Sequence, residues 1–360
     1  MASTAPALKQ DRIVFACGST EFSVRDVIDA AHFRGEIERP WSELLTRIAA
    51  EQKAQESGAE IDSSAVDEAA VAFRYQYDLI TAEETEAWLD ARGLNLTDFS
   101  DYFARAYWMK TFGSRVDPDE VPFTDATVDQ RELLAAELIL SGEFDSMAMR
   151  LAWRIAARAA AEKAADDAAE LGENFAGAGL DRAELEESLA ALGRDQAWLD
   201  EMLALEAVYR QRCEKLLTAE ACTREVASLR LPLTRLEVEV IELESRNAAN
   251  EALMCVRDDG VSMEEVAREG RYPYRRSELV LEAIPAELQQ KYLSLRPGSM
   301  LEPTAHADGF VLSRLLAKHE PQANDPPVRA RAEQRILARH FADLTSTWLQ
   351  WRLLPAVPTE

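Results

Sequence analysis

The sequence predicts an α+β protein: mostly helical through residue 230, with a small sheet-bearing domain over 231–324 and a long C-terminal helix that packs back on the helical part. Three observations carry this. Between residues 24 and 113 apolar side chains recur at helical spacing, punctuated by capping residues and glycines. At residue 231 the period shortens, and LEVEVIELE (236–244) alternates apolar and acidic residues as a strand does. From 328 to 354 one helical stripe returns in Val328, Ala332, Ile336, Phe341, Leu344 and Trp348, and its sequence neighbours alone cannot cover it.

RIVFACGSTEFS (12–23) predicts a hairpin around Gly18 and Ser19, after which Ser23 and Asp26 open a helix. Trp41 to Ser57 is helical after Pro40 and stops at Gly58, with Leu44, Leu45, Ile48 and Ala49 on one face. Asp62 or Ser63 starts the next helix, which carries Val66, Ala70, Phe73 and Tyr77. Thr81 and Glu84 form a capping box closed by Gly93, and one more helix ends near Gly113. In the later domain the first strand has a phase slip at Val240-Ile241 that predicts a bulge. Helices at 246–257 and 262–270, a strand near 275–283, a helix at 285–294, a Pro-Gly turn and a closing strand at 309–316 complete it.

The middle region carries a weak internal repeat of the first, a pattern that two Ala- and Glu-rich helical stretches also produce by composition alone. FRGEIERPWSELLTRIAAEQKA (33–54) parallels LSGEFDSMAMRLAWRIAARAAAEKA (140–164), and the helix-glycine-helix pattern of 82–108 is echoed at 182–210. Residues 114–126, rich in Pro and Asp, predict a linker. The resulting division is 1–114, 115–230, 231–324 and 325–360.

With a net charge of −25 over 360 residues, the chain lacks the clustered basic surface that phosphate binding needs, so no nucleic-acid partner is predicted. The acidity is concentrated early: residues 1–230 hold 45 acids and 24 bases. Cys17, Cys213, Cys222 and Cys255 form no paired motif and predict buried thiols in a reduced compartment. FACG (15–18) has the form of a lipoprotein cleavage site, but Lys9, Gln10, Asp11 and Arg12 occupy the place of the apolar segment a signal needs. No stretch approaches the roughly 20 apolar residues of a bilayer span. A cytoplasmic protein without membrane contact is the expectation. No phosphate loop, Ser/His/Asp order or zinc-type Cys/His spacing occurs, so neither cofactor nor metal is predicted.

Taken together these segments resemble SurA- and PrsA-type chaperones with parvulin domains. LLTRIAAEQKAQESGAEIDSSAVDEAAVAF (44–73) is similar to part of that family's helical N-terminal peptide-binding domain. AIPAELQQKYLSLRPGSMLEPTAHADGFVLSRLLAKHEP (283–321) resembles the second half of a parvulin domain, LRPGSMLEP being its most specific piece. VRARAEQRILARHFADL (328–344) resembles the helix that returns to the N-terminal domain. The resemblance implies a SurA-N-like domain at 1–114, a parvulin-like domain at 231–324 and a returning helix at 325–360, and is weakest over the second helical region at 115–230, for which the residues themselves leave open a degenerate repeat of the first.

Departures from the pattern decide what chemistry the resemblance implies. Parvulins place two histidines on neighbouring strands, and a catalyst must lower a rotational barrier of about 18–20 kcal/mol. This chain has His32, His306, His319 and His340, none between residues 33 and 305. Setting Gly309-Phe310 on the family's Gly-aromatic pair puts Val311 where the second histidine belongs, and Ala283 and Leu288 stand where a Met and a Phe are expected. The expectation is a noncatalytic chaperone-like protein that binds a flexible peptide or unfolded polypeptide. Family analogy adds presentation of a ribosomally made precursor to a modifying enzyme. The alternatives are a prolyl isomerase with a rearranged site at His306, Cys255 or Tyr274, and a structural subunit docked through 328–354.

The peptide-contacting candidates are Arg271, Tyr272, Tyr274, Arg275, Leu288, Phe310 and Val311. GRYPYRRS (270–277) combines arginines and tyrosines that suit acidic or aromatic peptide groups, although a solvated strand edge produces the same pattern. Glu237, Glu239, Glu242 and Glu244 read as the polar positions of a half-buried strand. The seven tryptophans fall in helical patterns, and Trp348 and Trp351 exceed what one stripe can bury, which predicts a groove or dimer surface there.

Overall fold

In the computed structural model, which describes residues 9–116, 128–162, 192–306 and 309–353, the predicted hairpin is present. β1 (Ile13–Cys17) pairs antiparallel with β2 (Thr20–Ser23), and Gly18 supplies φ +59° in the two-residue turn. Val14, Phe15 and Ala16 are buried, so this segment is a packed strand. α1 (Val24–Phe33) begins at a complete Ser23–Asp26 capping box, and α4 (Ala82–Ala91) at the Thr81–Glu84 box. α2 (Glu38–Glu56) starts earlier than Trp41, because Pro40 lies in its first turn, where a missing N–H costs no hydrogen bond. α3 (Ser63–Gln76) is capped by Asp62, and α5 (Leu96–Phe112) by an Asn95–Asp98 box that the sequence reading missed.

Residues divide into two compact units, 1–213 with 340–360, and 214–339, whereas the sequence reading sets its boundaries at 114, 230 and 324. In the first unit α6 (Val128–Ser141) and α7 (Glu143–Glu162) reproduce the α1–α2 connection: Gly35 and Gly142 adopt φ of +71° and +79° between consecutive helices. The two hairpins pack crosswise, α1 on α7 and α2 on α6, around Phe33, Trp41, Leu44, Phe144 and Leu151. The buried Glu137 carboxylate accepts from Arg47 at 2.6 Å and Arg105 at 2.7 Å, tying α2, α5 and α6 together. α8 (Gln196–Leu216) adds Leu199 and Leu205 to the same core. The second parallel of the repeat depends on residues 182–191, and most of the proposed linker is 117–126; both lie outside the described residues.

The long helix α13 (Pro326–Trp348) ends sooner than predicted, and β7 (Leu349–Trp351) pairs antiparallel with β1, matching Phe15 with Trp351. A strand this short is imposed by its partner, since β1 presents a second edge that needs hydrogen bonds. Phe341 is fully buried, stacked on Trp153 with ring centroids 5.0 Å apart and 5.2 Å from Tyr209. Trp348 and Trp351 pack against this core, so the apolar excess assigned to a groove or dimer surface is spent inside the unit.

The second unit opens with α9 (Ala219–Ser228), whose Val226 packs with Leu229, Leu233, Val328 and Ala332. A four-stranded antiparallel sheet follows, built from β3 (Arg235–Leu243), β4 (Tyr274–Val280), β5 (Met300–His306) and β6 (Gly309–His319) in the order β4-β3-β6-β5. α10 (Arg246–Arg257) and α11 (Met263–Gly270) cover one face, and α12 (Ala286–Ser294) packs on the other. Coverage of both faces explains Val240-Ile241: successive apolar residues enter opposite cores without a register shift. The irregularity lies instead at Glu237/Val238 against β6. β5 was missed because it contains Pro303, which an edge strand tolerates and where its pairing with β6 shifts.

Candidate functional site

Directly paired residues of an antiparallel sheet put their side chains on the same face, so the register assigns each predicted site residue to a side. On the α12 face one row runs Arg275, Val240, Ser313 and Leu301 across the four strands. The next holds Glu242, Val311 and Thr304. Val240, Ile284 and Leu301 are buried, whereas Leu279, Leu288, Leu295 and Val311 are half-buried against them. This makes an aliphatic floor. At its rim the exposed Arg275 guanidinium donates to Glu242 at 2.5 Å.

The opposite face holds Tyr272, Tyr274 and Phe310, all half-buried against α10 and α11. Arg271 is exposed at the end of α11 in the left-handed conformation, φ +57°. The sheet therefore separates the seven predicted residues: Leu288, Val311 and Arg275 on one side, Tyr272, Tyr274 and Phe310 on the other, and Arg271 at the turn.

Glu239 departs from the reading of the acidic row as the polar positions of a half-buried strand. It sits in a second row, Arg276, Glu239, Arg314 and Met300, and its side chain is only 7% exposed. Its Oε1 accepts from the Tyr274 hydroxyl at 2.8 Å and from Arg276 at 3.2 Å, while Arg314 stands 3.8 Å from Oε2. Burial pushes the Tyr274 phenol above its ordinary pKa. A buried carboxylate is tolerated when paired and hydrogen-bonded in this way. The available signal in the sequence was the Tyr274–Arg276 spacing, which puts both on one face of a strand beside Glu239.

None of the four histidines occupies the central rows. His306 pairs with Gly309 at the exposed β5–β6 end, and His319 lies at the other end of β6, 3.7 Å from Glu237. His32 and His340 belong to the first unit. Of the rearranged set, Tyr274 packs against the cluster of the α10–α11 face and Cys255 lies on α10, whereas the register places His306 on the α12 side.

No protein-family model matches the chain, and no curated protein matches it. Its structural neighbours are PrsA- and SurA-like proteins. The peptidylprolyl isomerase PrsA of Bacillus cereus shares 14% identity over 60% of this chain and 86% of its own, with a TM-score of 0.31. The foldase PrsA of Lactococcus lactis shares 9% over 93% and 90%, with a TM-score of 0.26. A SurA-like chaperone of Campylobacter jejuni shares 9% over 60% and 87%, with a TM-score of 0.19. Superpositions this loose carry no argument about the site.

Proposed function

We propose that this protein is a noncatalytic, chaperone-like binder of flexible polypeptide, and that the α12 face of its second unit takes apolar segments of the client. The aliphatic floor carries the reading: Leu288 and Val311, packed over buried Val240 and Leu301, offer apolar contact where a prolyl isomerase needs polar groups that favour the twisted amide. Half-buried Leu279, Leu288, Leu295 and Val311 retain surface for a client, and the Arg275–Glu242 pair at the rim orients its backbone. The proposal includes a reducing, cytoplasmic setting, supported by four cysteines that form no disulfide among the described residues. It also takes a ribosomally made precursor as one class of client, handed to a modifying enzyme.

The test is a proline-containing peptide followed by exchange spectroscopy and by fluorescence anisotropy. Binding that weakens in Leu288→Asp and Val311→Asp, with no change in the cis/trans exchange rate, is expected. Accelerated exchange that disappears in His306→Ala would overturn the noncatalytic assignment. Affinity capture from the native host separates a varied clientele from a single stoichiometric partner, the latter favouring a structural subunit.

A further inference from the structure

Beside β5, on the α10–α11 face, lies a recess of about 550 Å³, within the range of small-ligand and peptide-end pockets. Leu253, Val256 and Met300 form its apolar wall, and Arg257, Ser262 and Arg314 its polar one. Arg314 is the informative residue. Its guanidinium makes no hydrogen bond to any described residue; the nearest carboxylate, Glu239, is 3.8 Å away and already accepts from Tyr274 and Arg276. The side chain is 35% exposed and lines the recess, so a planar fork of N–H donors with only a 3.8 Å ion pair to Glu239 stands available to a ligand there. Arg257, by contrast, is engaged with Asp258 at 2.8 and 3.1 Å.

We propose that this recess binds the C-terminal carboxylate of a polypeptide whose last side chain is apolar. A carboxylate matches the guanidinium fork through two parallel hydrogen bonds, and the terminal side chain fits against Leu253, Val256 and Met300. Glu302 also lines the recess, which selects a single negative charge over a phosphorylated or polyacidic ligand. The site is on the opposite face of the sheet from the aliphatic floor, and it stands independently of the function proposed for that floor.

The probe is acetyl-Ala-Ala-Leu with a free C-terminus, titrated calorimetrically into the full chain beside its C-terminal amide and N-acetyl-leucine. The free acid binds at least tenfold more tightly than the amide, and Arg314→Gln abolishes that preference while Arg314→Lys keeps part of it. Tyr274 and Arg276 still satisfy Glu239 in these variants, so the fold survives. Val261→Trp, placed at the recess wall, blocks binding in a protein whose circular dichroism is unchanged. Equal affinity for acid and amide, or a preference that persists in Arg314→Gln, overturns the proposal. N-acetyl-leucine binding as tightly as the tripeptide overturns the polypeptide assignment and points to a small carboxylic acid. Leu288→Asp leaves the acid/amide ratio unchanged, which separates this site from the floor.

Discussion

Replacing Phe341 with Ala removes a fully buried ring sandwiched between Trp153, at 5.0 Å and an interplanar angle of 12°, and Tyr209, at 5.2 Å. Truncating a buried Phe costs about 3–5 kcal/mol in lost transfer energy and cavity. Two aromatic contacts, each worth about 0.5–1.5 kcal/mol beyond area, place this site in the upper part of that range. All seven tryptophans, Trp41, Trp88, Trp108, Trp153, Trp198, Trp348 and Trp351, belong to the first unit, so tryptophan emission during urea unfolding reads that unit alone. With a slope of about 2 kcal/mol/M, a loss of about 4 kcal/mol lowers the midpoint by about 2 M. Phe341→Leu keeps most of the volume and loses about half as much. A midpoint shift below about 0.5 M for Phe341→Ala would refute the packing of the C-terminal segment in this core.

Three further outcomes follow from the same physics. Glu239→Ala withdraws the acceptor shared by Tyr274 and Arg276 and costs about 2 kcal/mol; Tyr274→Phe costs about 1 kcal/mol. The double variant costs less than the sum in far-UV circular dichroism melts, and strict additivity would dissolve the network. Burial lowers the pKa of His32, whose Nδ1 finds no partner among the described residues, so the folded state holds this ring neutral. Its contribution is present above the ordinary value of 6.5 and is lost as pH falls from there through the lowered folded value, so tryptophan-monitored stability declines on acidification and declines less in His32→Gln. Gly142→Ala imposes a side chain at φ +79° with Tyr77 Oη 3.2 Å from the new Cβ, and lowers first-unit stability by about 1–2 kcal/mol in the same melts.

What was legible in the sequence was local. The Ser23–Asp26 and Thr81–Glu84 boxes, the Gly18 turn and the edges of α10 are set by residues within a few positions of one another, and they stand where the sequence puts them. What escaped depends on partners remote in the chain. β7 exists because β1 presents an edge, β5 survives Pro303 because it lies at the sheet margin, and Glu239 is buried because β4 and β6 supply its donors. The candidate site suffered most from this. Tyr272, Tyr274 and Arg275 are close in sequence, but strand alternation sends Tyr274 and Arg275 to opposite faces.

The antiparallel match of Phe15 with Trp351 also sets a schedule for the newly made chain. β1 leaves the ribosome before the second unit and β7 after it, so the hairpin and the pocket that receives Phe341 wait uncovered while the whole second unit is translated. At about 5–20 residues per second that interval is on the order of ten seconds, far longer than helix formation or collapse. Through it the nascent first unit exposes Phe15 and Trp153 to solvent and to other chains, so a protein read as a guardian of unfolded polypeptide passes a vulnerable stretch of its own synthesis.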